Sequence, residues 1–413
     1  MSLIRPFAAL RPVYERAADV AAPPYDVLTT EEARERAADR PWSFLHISKP
    51  EIDLPLGRDP HSPEVYVKAT ENLARMMAAG VLVRDPDRRY YAYRLVFGDH
   101  VQTGLVAVAS VAEYDRNRIR KHEFTRPDKE DDRARQIEAL NAQTGPVLLA
   151  YRSAPQVDKI LRDAAAATPD ADIDADGGVR HTLWSIRDPQ RIASLTATFN
   201  GMSALYIADG HHRSAAASRV AAARRACNAK HTGEESYEYF LAVAFPHHQM
   251  QILPYHRVAT DLNGMSAERF LERLRTGFNV EASAEPVAPD SPGQFGIYLP
   301  GQWYRLFIHP GLIPIADPVA RLDVSLLADH LLAPILGIHD PRRDKRIDFV
   351  GGIRGLLELE RRVDRGEMAI AFSLHPTHME DLMAVSDRGE VMPPKSTWFE
   401  PKLADGLVSN VLD

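Results

Sequence analysis

The sequence predicts a mixed α/β fold, and three observations support it. Strand-like apolar runs, such as Arg89–Phe97 and Gly104–Ser110, alternate along the chain with helical patterns such as Pro63–Ala79. The turn Gly98–His100 between the two runs predicts a hairpin, and hairpins join antiparallel strands. There is no internal repeat and no low-complexity tract. Interleaved helices and strands with some hairpins are typical of α/β or α+β proteins.

Length and composition exclude several classes of protein. The 413 residues suggest two or three domains, and a shift in composition near Asp261 predicts the division 1–260 and 261–413. With 50 basic and 57 acidic residues, the net charge of −7 does not indicate nucleic-acid binding. The longest apolar runs, such as residues 331–338, are too short to span a bilayer. With no secretory core and one cysteine, we expect a cytoplasmic protein without membrane contact, and a homo-oligomer stays open.

The N-terminal elements follow from local signals. Pro23–Pro24 forbid a helix, so Tyr25 and Asp26 should lie in extended or turn geometry. Thr30–Ala33 then opens a helix with an N-cap and an acidic first turn. The run Ser43–Ile47 is a candidate strand.

Further along, the apolar spacing of Pro63–Ala79 predicts a buried face made of Val67, Leu73, Ala74 and Met77. We expect a loop over residues 168–178. The other predicted strands are 144–151, 181–186, 204–208, 235–245, 250–256, 294–299, 303–309 and 368–374. The other predicted helices are 131–142, 189–199, 214–226, 266–278, 323–338 and one within 349–365.

The stretch Asp209–Arg213 has the character of an anion site. It lies between the predicted strand Ala204–Ala208 and the predicted helix Ser214–Ala226. Free backbone N–H groups and the positive end of a helix dipole meet at such a junction. Gly210 permits a tight turn, and two imidazoles with a guanidinium could hold phosphate. A phosphate loop and a capped polar turn are the two interpretations of the stretch by itself.

Two further polar stretches could converge on this loop. Ile119–Arg133 is densely charged; a carboxylate flanked there by Lys and Arg would be ionised and able to accept a proton or bind a metal. The alternative is a solvated loop and helix face. Lys395-Ser396-Thr397 is a donor-rich turn near Trp398 and Phe399, which could anchor it. A plain surface loop is the alternative there.

Other chemistries find little support. Histidines occur in pairs at 211/212, 247/248 and 375/378. The side chains of adjacent residues diverge, and Pro376 argues against a helix that would bring residues 375 and 378 to one face. A histidine zinc site is therefore disfavoured, and no metal-binding residue is predicted. The serine-hydrolase elbow, the Walker loop and the dinucleotide fingerprint are absent from the sequence. The phosphate loop therefore has no competing motif.

Four segments together resemble a widespread bacterial family catalogued as a domain of unknown function. They are Ala22–Val27, Lys121–Thr125, Ala208–Arg213 and Met392–Thr397. The family is similar to the free L-serine kinases of the ParB/sulfiredoxin-like superfamily, which carry an Asp-Gly-His-x-Arg loop. This resemblance implies a nucleotide-binding core of that type in residues 1–260 and an α/β C-terminal region whose tail, 391–403, docks back on the site.

The resemblance also implies a function. It is transfer of a phosphoryl group from ATP or ADP, with Mg²⁺, to the hydroxyl of free L-serine or a similar metabolite. The implied phosphate- or nucleotide-binding residues are Gly210, His211, Arg213, Ser214, Lys395, Ser396 and Thr397. The implied catalytic residues are Glu123, as the base, Asp209 and His212. The implied substrate-binding residues are Tyr25, Asp26 and His122, with Asp26 as the second choice of base.

Two relatives in the superfamily fit the residues less well. A sulfiredoxin-type reductase needs a nucleophilic cysteine beside the loop, whereas Cys227 lies well into the next predicted helix, where we expect it to be buried. A ParB-type DNA clamp would need a basic helix-turn-helix region and a Gly-Glu-Arg-Arg loop. A non-catalytic nucleotide- or metabolite-sensing protein, in which a phosphate ligand moves the C-terminal tail, stays open as the alternative function.

Overall fold

The structure, a computed structural model, describes residues 2–412 and contains two compact units. The first unit runs to Met250 and takes in the chain again from Pro401, and the second is Gln251–Glu400. Both units combine helices with sheets, so the predicted mixed α/β class is confirmed. Across residues 2–412, no helix is both long enough and apolar enough to cross a bilayer.

The elements are numbered in chain order. The strands are β1 Ile4–Arg5, β2 Leu10–Pro12, β3 Leu82–Arg84, β4 Tyr90–Phe97, β5 His100–Ser110, β6 Ile119–Arg120, β7 Ala142–Gln143, β8 Val147–Tyr151, β9 Ala171–Ala175, β10 Val179–Ile186, β11 Leu205–Asp209, β12 Tyr239–Pro246, β13 Gln251–Leu253, β14 Tyr255–Ala259, β15 Phe278–Ser283, β16 Gln294–Leu299, β17 Gln302–Ile308, β18 Ile347–Gly351, β19 Ile370–Leu374, β20 Trp398–Glu400 and β21 Asn410–Val411. The α-helices are α1 Ala17–Val20, α2 Thr30–Ala37, α3 Leu45–Ser48, α4 Pro63–Ala78, α5 Val111–Asp115, α6 Pro127–Leu140, α7 Pro155–Ala164, α8 Pro189–Asn200, α9 His211–Cys227, α10 Ala267–Leu274, α11 Asp323–Leu327, α12 Leu357–Asp364 and α13 Met379–Asp387.

The first unit is built around one large sheet. Its strands follow the order β6, β11, β8, β12, β5, β4, β10, β9, with β1 beside β5. Most neighbours are antiparallel, but β6 runs parallel to β11 and β8 runs parallel to β12. Helix α9 packs on β8 and β12 through small side chains, of which Ala216 and Ala221 are fully buried. Small residues let the helix backbone approach the sheet closely.

The second unit has its own sheet and core. Its strands follow the order β15, β17, β16, β19, β14, β18, and every neighbouring pair is antiparallel. One face is covered by apolar side chains from α10, such as Phe270 and Leu274, and from the segment after α11, such as Leu331. That segment continues as a π-helical turn, Ala328–Leu332, where a regular helix to residue 338 was predicted.

Local sequence signals account for several helix starts. Thr29 accepts a hydrogen bond from the Glu32 backbone N–H, and the Glu32 carboxylate accepts one from the Thr29 backbone N–H. This capping box makes Thr29 the N-cap residue of α2, which begins at Thr30. Proline opens α4, α6, α7 and α8, as its fixed φ and missing N–H favour.

Two secondary-structure predictions in the first unit are wrong. The expected strand Ser43–Ile47 is helix α3, because a short apolar run is buried equally well in either conformation and periodicity cannot separate them. The expected loop 168–178 contains strand β9, which pairs with β10 and alternates buried Ala171 and Ile173 with more exposed residues. The aspartates of β9 made this alternation of buried and exposed positions hard to recognise in the sequence.

The buried face of α4 is also different from the prediction. Leu73 is buried as expected, but Val67 and Met77 are 58% and 45% exposed. Tyr66 and Met76 are buried in their place, so the face is displaced by one position. In α9, Cys227 is exposed rather than buried, because it ends the helix.

The aromatic core under β8 gives a test of the first unit. Phe199 of α8 is fully buried and meets the Tyr151 ring edge-on, with centroids 5.1 Å apart. We expect Phe199→Ala to lower the free energy of unfolding by about 3–5 kcal/mol, because it removes a large buried ring and leaves a cavity. Urea unfolding would measure this. A loss below about 1 kcal/mol would contradict the packing described.

Candidate functional site

The site begins at the parallel pairing of β6 with β11. Leu205 is paired with Ile119, and Tyr206 with Arg120. Parallel strands end at the same edge of a sheet, so the residues after each strand emerge together. His122 and Glu123 follow β6, and the Asp209–Arg213 stretch follows β11. The pairing therefore joins two polar stretches that are remote in sequence.

Helix α9 begins three residues earlier than the sequence predicted. His211, His212 and Arg213 form its first turn, and Gly210 is the N-cap residue. Gly210 has φ of +97°, and a Cβ there would lie 3.3 Å from Val147 Cα, so glycine is needed both for the backbone conformation and for the close approach. The backbone N–H groups at the start of α9 have no carbonyl within the helix to bind.

Three of the predicted site residues form one cluster. The backbone N–H of His122 donates to His211 Nε2 at 3.4 Å, and the two rings meet edge-on with centroids 4.4 Å apart. His211 Nδ1 lies 3.7 Å from a carboxylate oxygen of Glu123. His122 and His211 are 2% and 4% exposed. Burial lowers the pKa of His122 to about 4 and that of His211 well below its usual value, so both rings are neutral at pH 7.

His212 and Ser214 are held by local hydrogen bonds. His212 Nε2 accepts a hydrogen bond from the Arg126 backbone N–H at 3.1 Å, and burial lowers the pKa of the half-buried His212 ring. The fully buried Ser214 hydroxyl donates to the His211 carbonyl oxygen at 3.0 Å. Both side chains therefore help to fix the first turn of α9, and their roles toward a ligand stay predictions.

Asp209 is the centre of a charged cluster. Its carboxylate lies 3.4 Å from Lys402 Nζ and 3.6 Å from the Arg213 guanidinium. Burial favours the neutral form, but Lys402, Arg213 and His211 outweigh it and lower the pKa of Asp209. Asp209 is thus an anion at neutral pH, compensated by two cations.

The Arg213 side chain turns back toward β8. Its guanidinium also donates to the Pro146 carbonyl. A Cβ on Gly145 would lie 3.3 Å from Arg213 Cδ, so glycine leaves space for the stem of this side chain. Burial opposes its charge, but Asp209 and other acidic neighbours outweigh burial and raise the pKa of Arg213.

A second acidic group lies close to Arg213. Asp405 is 3% exposed. Burial raises the pKa of Asp405 to about 7; Asp26 adds to this, while Arg213 and Arg133 oppose it. Asp405 therefore titrates near neutral pH.

Tyr25 and Arg133 complete this part of the site. The Arg133 guanidinium lies 3.9 Å from the centre of the Tyr25 ring, a cation–π contact. Burial raises the pKa of the Tyr25 hydroxyl, and Arg133 partly offsets this. Arg133 also donates two hydrogen bonds to one carboxylate oxygen of Asp132, at 2.6 and 2.9 Å. Asp26 is exposed in the 3-10 turn Tyr25–Val27.

These groups line one pocket that is partly open to solvent. Tyr25, Arg133, Arg213 and Asp405 form its polar wall, and its apolar wall comes from residues such as Phe240. An apolar pocket with a few convergent polar groups is the usual form of a small-molecule site. Two guanidiniums in one wall favour a ligand with negative charge.

The predicted turn Lys395-Ser396-Thr397 belongs to the second unit. Lys395 has φ of +57°, and its carbonyl accepts a hydrogen bond from Arg257 at 2.9 Å. The Ser396 carbonyl accepts one from Thr377 at 2.9 Å. The turn is thus well held within its own unit, and the nucleotide role of its three residues stays a prediction.

Sequence reasoning missed Lys402 and Asp405. They belong to the part of the C-terminal segment that returns to the first unit, where Asp405 forms a β-bridge with Ala22. In the sequence, the preceding turn, residues 395–397, was recognised because it is rich in hydrogen-bond donors. A weaker signal was present: Lys402, Asp405 and Asn410 interrupt an apolar segment that ends the chain.

The Mg²⁺ that the resemblance implies does not fit the cluster of His122, Glu123 and His211. Mg²⁺ prefers oxygen ligands, whereas this cluster offers two imidazoles and one carboxylate. The Asp209 carboxylate is engaged by Lys402 and Arg213. These residues therefore make no oxygen cage for the ion.

The family described as "Protein of unknown function (DUF1015)" matches residues 4–325. The chain belongs to this family. The resemblance to a family of unknown function is therefore confirmed, and the match spans the whole loop from Asp209 to Arg213. A search of curated proteins finds no match.

Solved structures resemble this member of the family only weakly. A free serine kinase in complex with AMP has a TM-score of 0.34 and 14% identity, covering 73% of this chain and 92% of that chain. SbnI with a C-terminal truncation, from Staphylococcus aureus, has a TM-score of 0.37 and 12% identity, covering 73% and 86%. A conserved hypothetical protein from Pyrococcus furiosus has 0.32 and 15%, covering 73% and 94%. TM-scores this low carry no conclusion about function.

The raised pKa of Asp405 predicts a pH-dependent stability. Its pKa is about 7 in the folded protein and about 3.9 when unfolded, so the unfolded state binds fewer protons and stability falls as pH rises from 4 to 7. Asp405→Asn removes this loss. Relative to the native protein, we expect the variant to gain about 1–3 kcal/mol on going from pH 5 to pH 8, measured by urea unfolding. An equal difference at both pH values would contradict the burial of an ionisable Asp405.

Proposed function

We propose that this protein is a small-molecule kinase. It would transfer a phosphoryl group from ATP or ADP to the hydroxyl of free L-serine or a similar metabolite. The observation that carries the proposal is the convergence of Arg133 and Arg213, which belongs to the first turn of α9, on one partly open pocket. We assign the nucleotide-binding core to residues 1–260. We propose that Lys395, Ser396 and Thr397 of the C-terminal region also contribute to nucleotide binding.

Recognition of phosphate would use fixed donors. The backbone N–H groups after Gly210 point out of the N-terminus of α9, where the helix dipole also favours an anion. Arg213 adds a planar fork of donors that matches phosphate oxygens. Because Asp209 and Pro146 already hold this guanidinium, little of its conformational freedom is lost on binding.

Glu123 is our choice for the base that accepts the proton of the substrate hydroxyl. Its side chain is 60% exposed, so a substrate can reach it, and it lies beside His211 at the end of the phosphate loop. Asp26 is the second choice. Tyr25 and His122 would orient the substrate, and Asp209 and His212 would keep the loop in place. Phosphoryl transfer depends mostly on positioning and charge neutralisation, which a rigid loop supplies. Magnesium would arrive on the phosphates of the nucleotide.

One observation favours a second candidate function. Lys402 of the returning C-terminal segment contacts Asp209 of the loop at 3.4 Å. A phosphate bound at the loop would compete with Asp209 for Lys402 and so could move this segment. A protein that only senses a nucleotide would use this link without any turnover.

Turnover separates the two candidates. The protein would be incubated with ATP or ADP, Mg²⁺ and a pool of amino acids, and the products analysed by mass spectrometry. A phosphorylated amino acid supports the kinase. Tight nucleotide binding without any phosphorylated product, under both donors, rejects the kinase and leaves the sensor.

Glu123 gives a sharper test of the mechanism. We expect Glu123→Gln to lower kcat by about 100-fold or more while the Kd of the nucleotide stays the same, because the amide cannot accept the proton. Rapid-quench kinetics and calorimetry would measure both constants. Glu31→Gln, on the exposed face of α2, is the matched control. Unchanged kcat in Glu123→Gln would remove the assignment of the base.

Arg213 tests the phosphate loop itself. We expect Arg213→Lys to raise the Kd of ADP about tenfold, because lysine keeps the charge but loses the two-pronged contact. Arg225→Lys is the control, since Arg225 lies on the same helix and binds Glu238 at 2.6 Å instead. Equal Kd values for the native protein and Arg213→Lys would place the nucleotide elsewhere.

A further inference from the structure

We propose that His122, Glu123 and His211 form a binding site for a divalent transition-metal ion. One ligand atom from each of the three residues can be chosen such that all three lie within 4.8 Å of one another. In the part of the chain that the structure describes, no other group of three or more His, Cys, Asp or Glu side chains meets this condition. The inference concerns metal binding by the chain itself and does not rest on the kinase activity proposed above.

The strongest indication of a ligand is a nitrogen of His122. His122 is 2% exposed. Its Nδ1 atom is buried and has no hydrogen-bond partner among residues 2–412. A buried polar atom without a partner is costly, and a metal ion would satisfy it.

The spacing of the cluster is close to that of a metal site. Ligand atoms around a tetrahedral zinc ion, at bonds of about 2.0–2.2 Å, are about 3.4 Å apart. His211 Nδ1 and the Glu123 oxygen are 3.7 Å apart, a few tenths of an ångström more than this. Glu123 is 60% exposed and can make this adjustment, whereas both rings are fixed by burial. Ligation through Nδ1 moves the His211 ring proton to Nε2, so the long hydrogen bond that Nε2 accepts from the His122 N–H at 3.4 Å is given up.

The donor set selects the class of ion. Two imidazoles and one carboxylate suit zinc and the divalent first-row metals from manganese to nickel, and they do not suit Mg²⁺ or Ca²⁺. Three protein ligands leave at least one coordination position open, as in catalytic rather than structural zinc sites. The Glu123 carboxylate also supplies negative charge, which offsets the positive end of α9 at His211.

Zinc titration tests the inference. The full chain, free of tag histidines and stripped of metal by a chelator, would be titrated with Zn²⁺ alone by calorimetry. We expect one ion per chain, an affinity at least about tenfold weaker in Glu123→Gln, and a still larger loss in His211→Gln. Millimolar Mg²⁺ should not displace the zinc. Visible absorption of bound Co²⁺ would report the nitrogen ligands.

Controls separate this site from other histidines and from the role of Glu123 as a base. Glu31→Gln and His248→Gln, both exposed side chains, should bind zinc as the native protein does. Native zinc affinity in both Glu123→Gln and His211→Gln would overturn the metal site, whether or not the protein turns over a substrate. If His211→Gln fails to fold, the exposed position Glu123 still decides the question. A loss of turnover in Glu123→Gln with unchanged zinc affinity would leave Glu123 as a base and reject it as a ligand.

Discussion

The candidate site depends on the short parallel pairing between β6 and β11. Only two pairs of residues form it, Ile119 with Leu205 and Arg120 with Tyr206. Because both strands run in the same direction, their following residues leave the sheet at one edge. Without this pairing, the His122–Glu123 stretch and the phosphate loop would be two unrelated polar turns.

The second constraint is electrostatic. Arg213 interacts with two acidic groups, Asp209 and Asp405, which differ in charge at neutral pH. Asp209 is ionised because Lys402 and Arg213 outweigh its burial, whereas Asp405 is close to half-protonated. An anionic ligand that approaches Arg213 therefore meets one compensated carboxylate and one that can become neutral. Both Lys402 and Asp405 come from the returning C-terminal segment, so this segment sets the charge of the site.

The sequence allowed the class of fold and most long elements to be predicted, because proline, glycine and alternating apolar residues mark them locally. It could not place the start of α9, since His211, His212 and Arg213 have the composition of a loop and become helical only because Gly210 adopts a left-handed conformation. From the sequence, histidines could be considered as a shared metal site only where they are close together in the chain. His122 and His211 are 89 positions apart and meet only through strand pairing. Lys402 and Asp405 were missed for the same reason.

The most direct test of the account is a crystal structure of the full chain with ADP. The account predicts that a phosphate lies against the backbone N–H groups of the first turn of α9 and within hydrogen-bond distance of Arg213. It also predicts that the rest of the nucleotide enters the cavity beside Tyr25 and Arg133. Nucleotide bound elsewhere, with the Asp209–Arg213 loop free of phosphate, would contradict the central claim that this loop is the phosphate site.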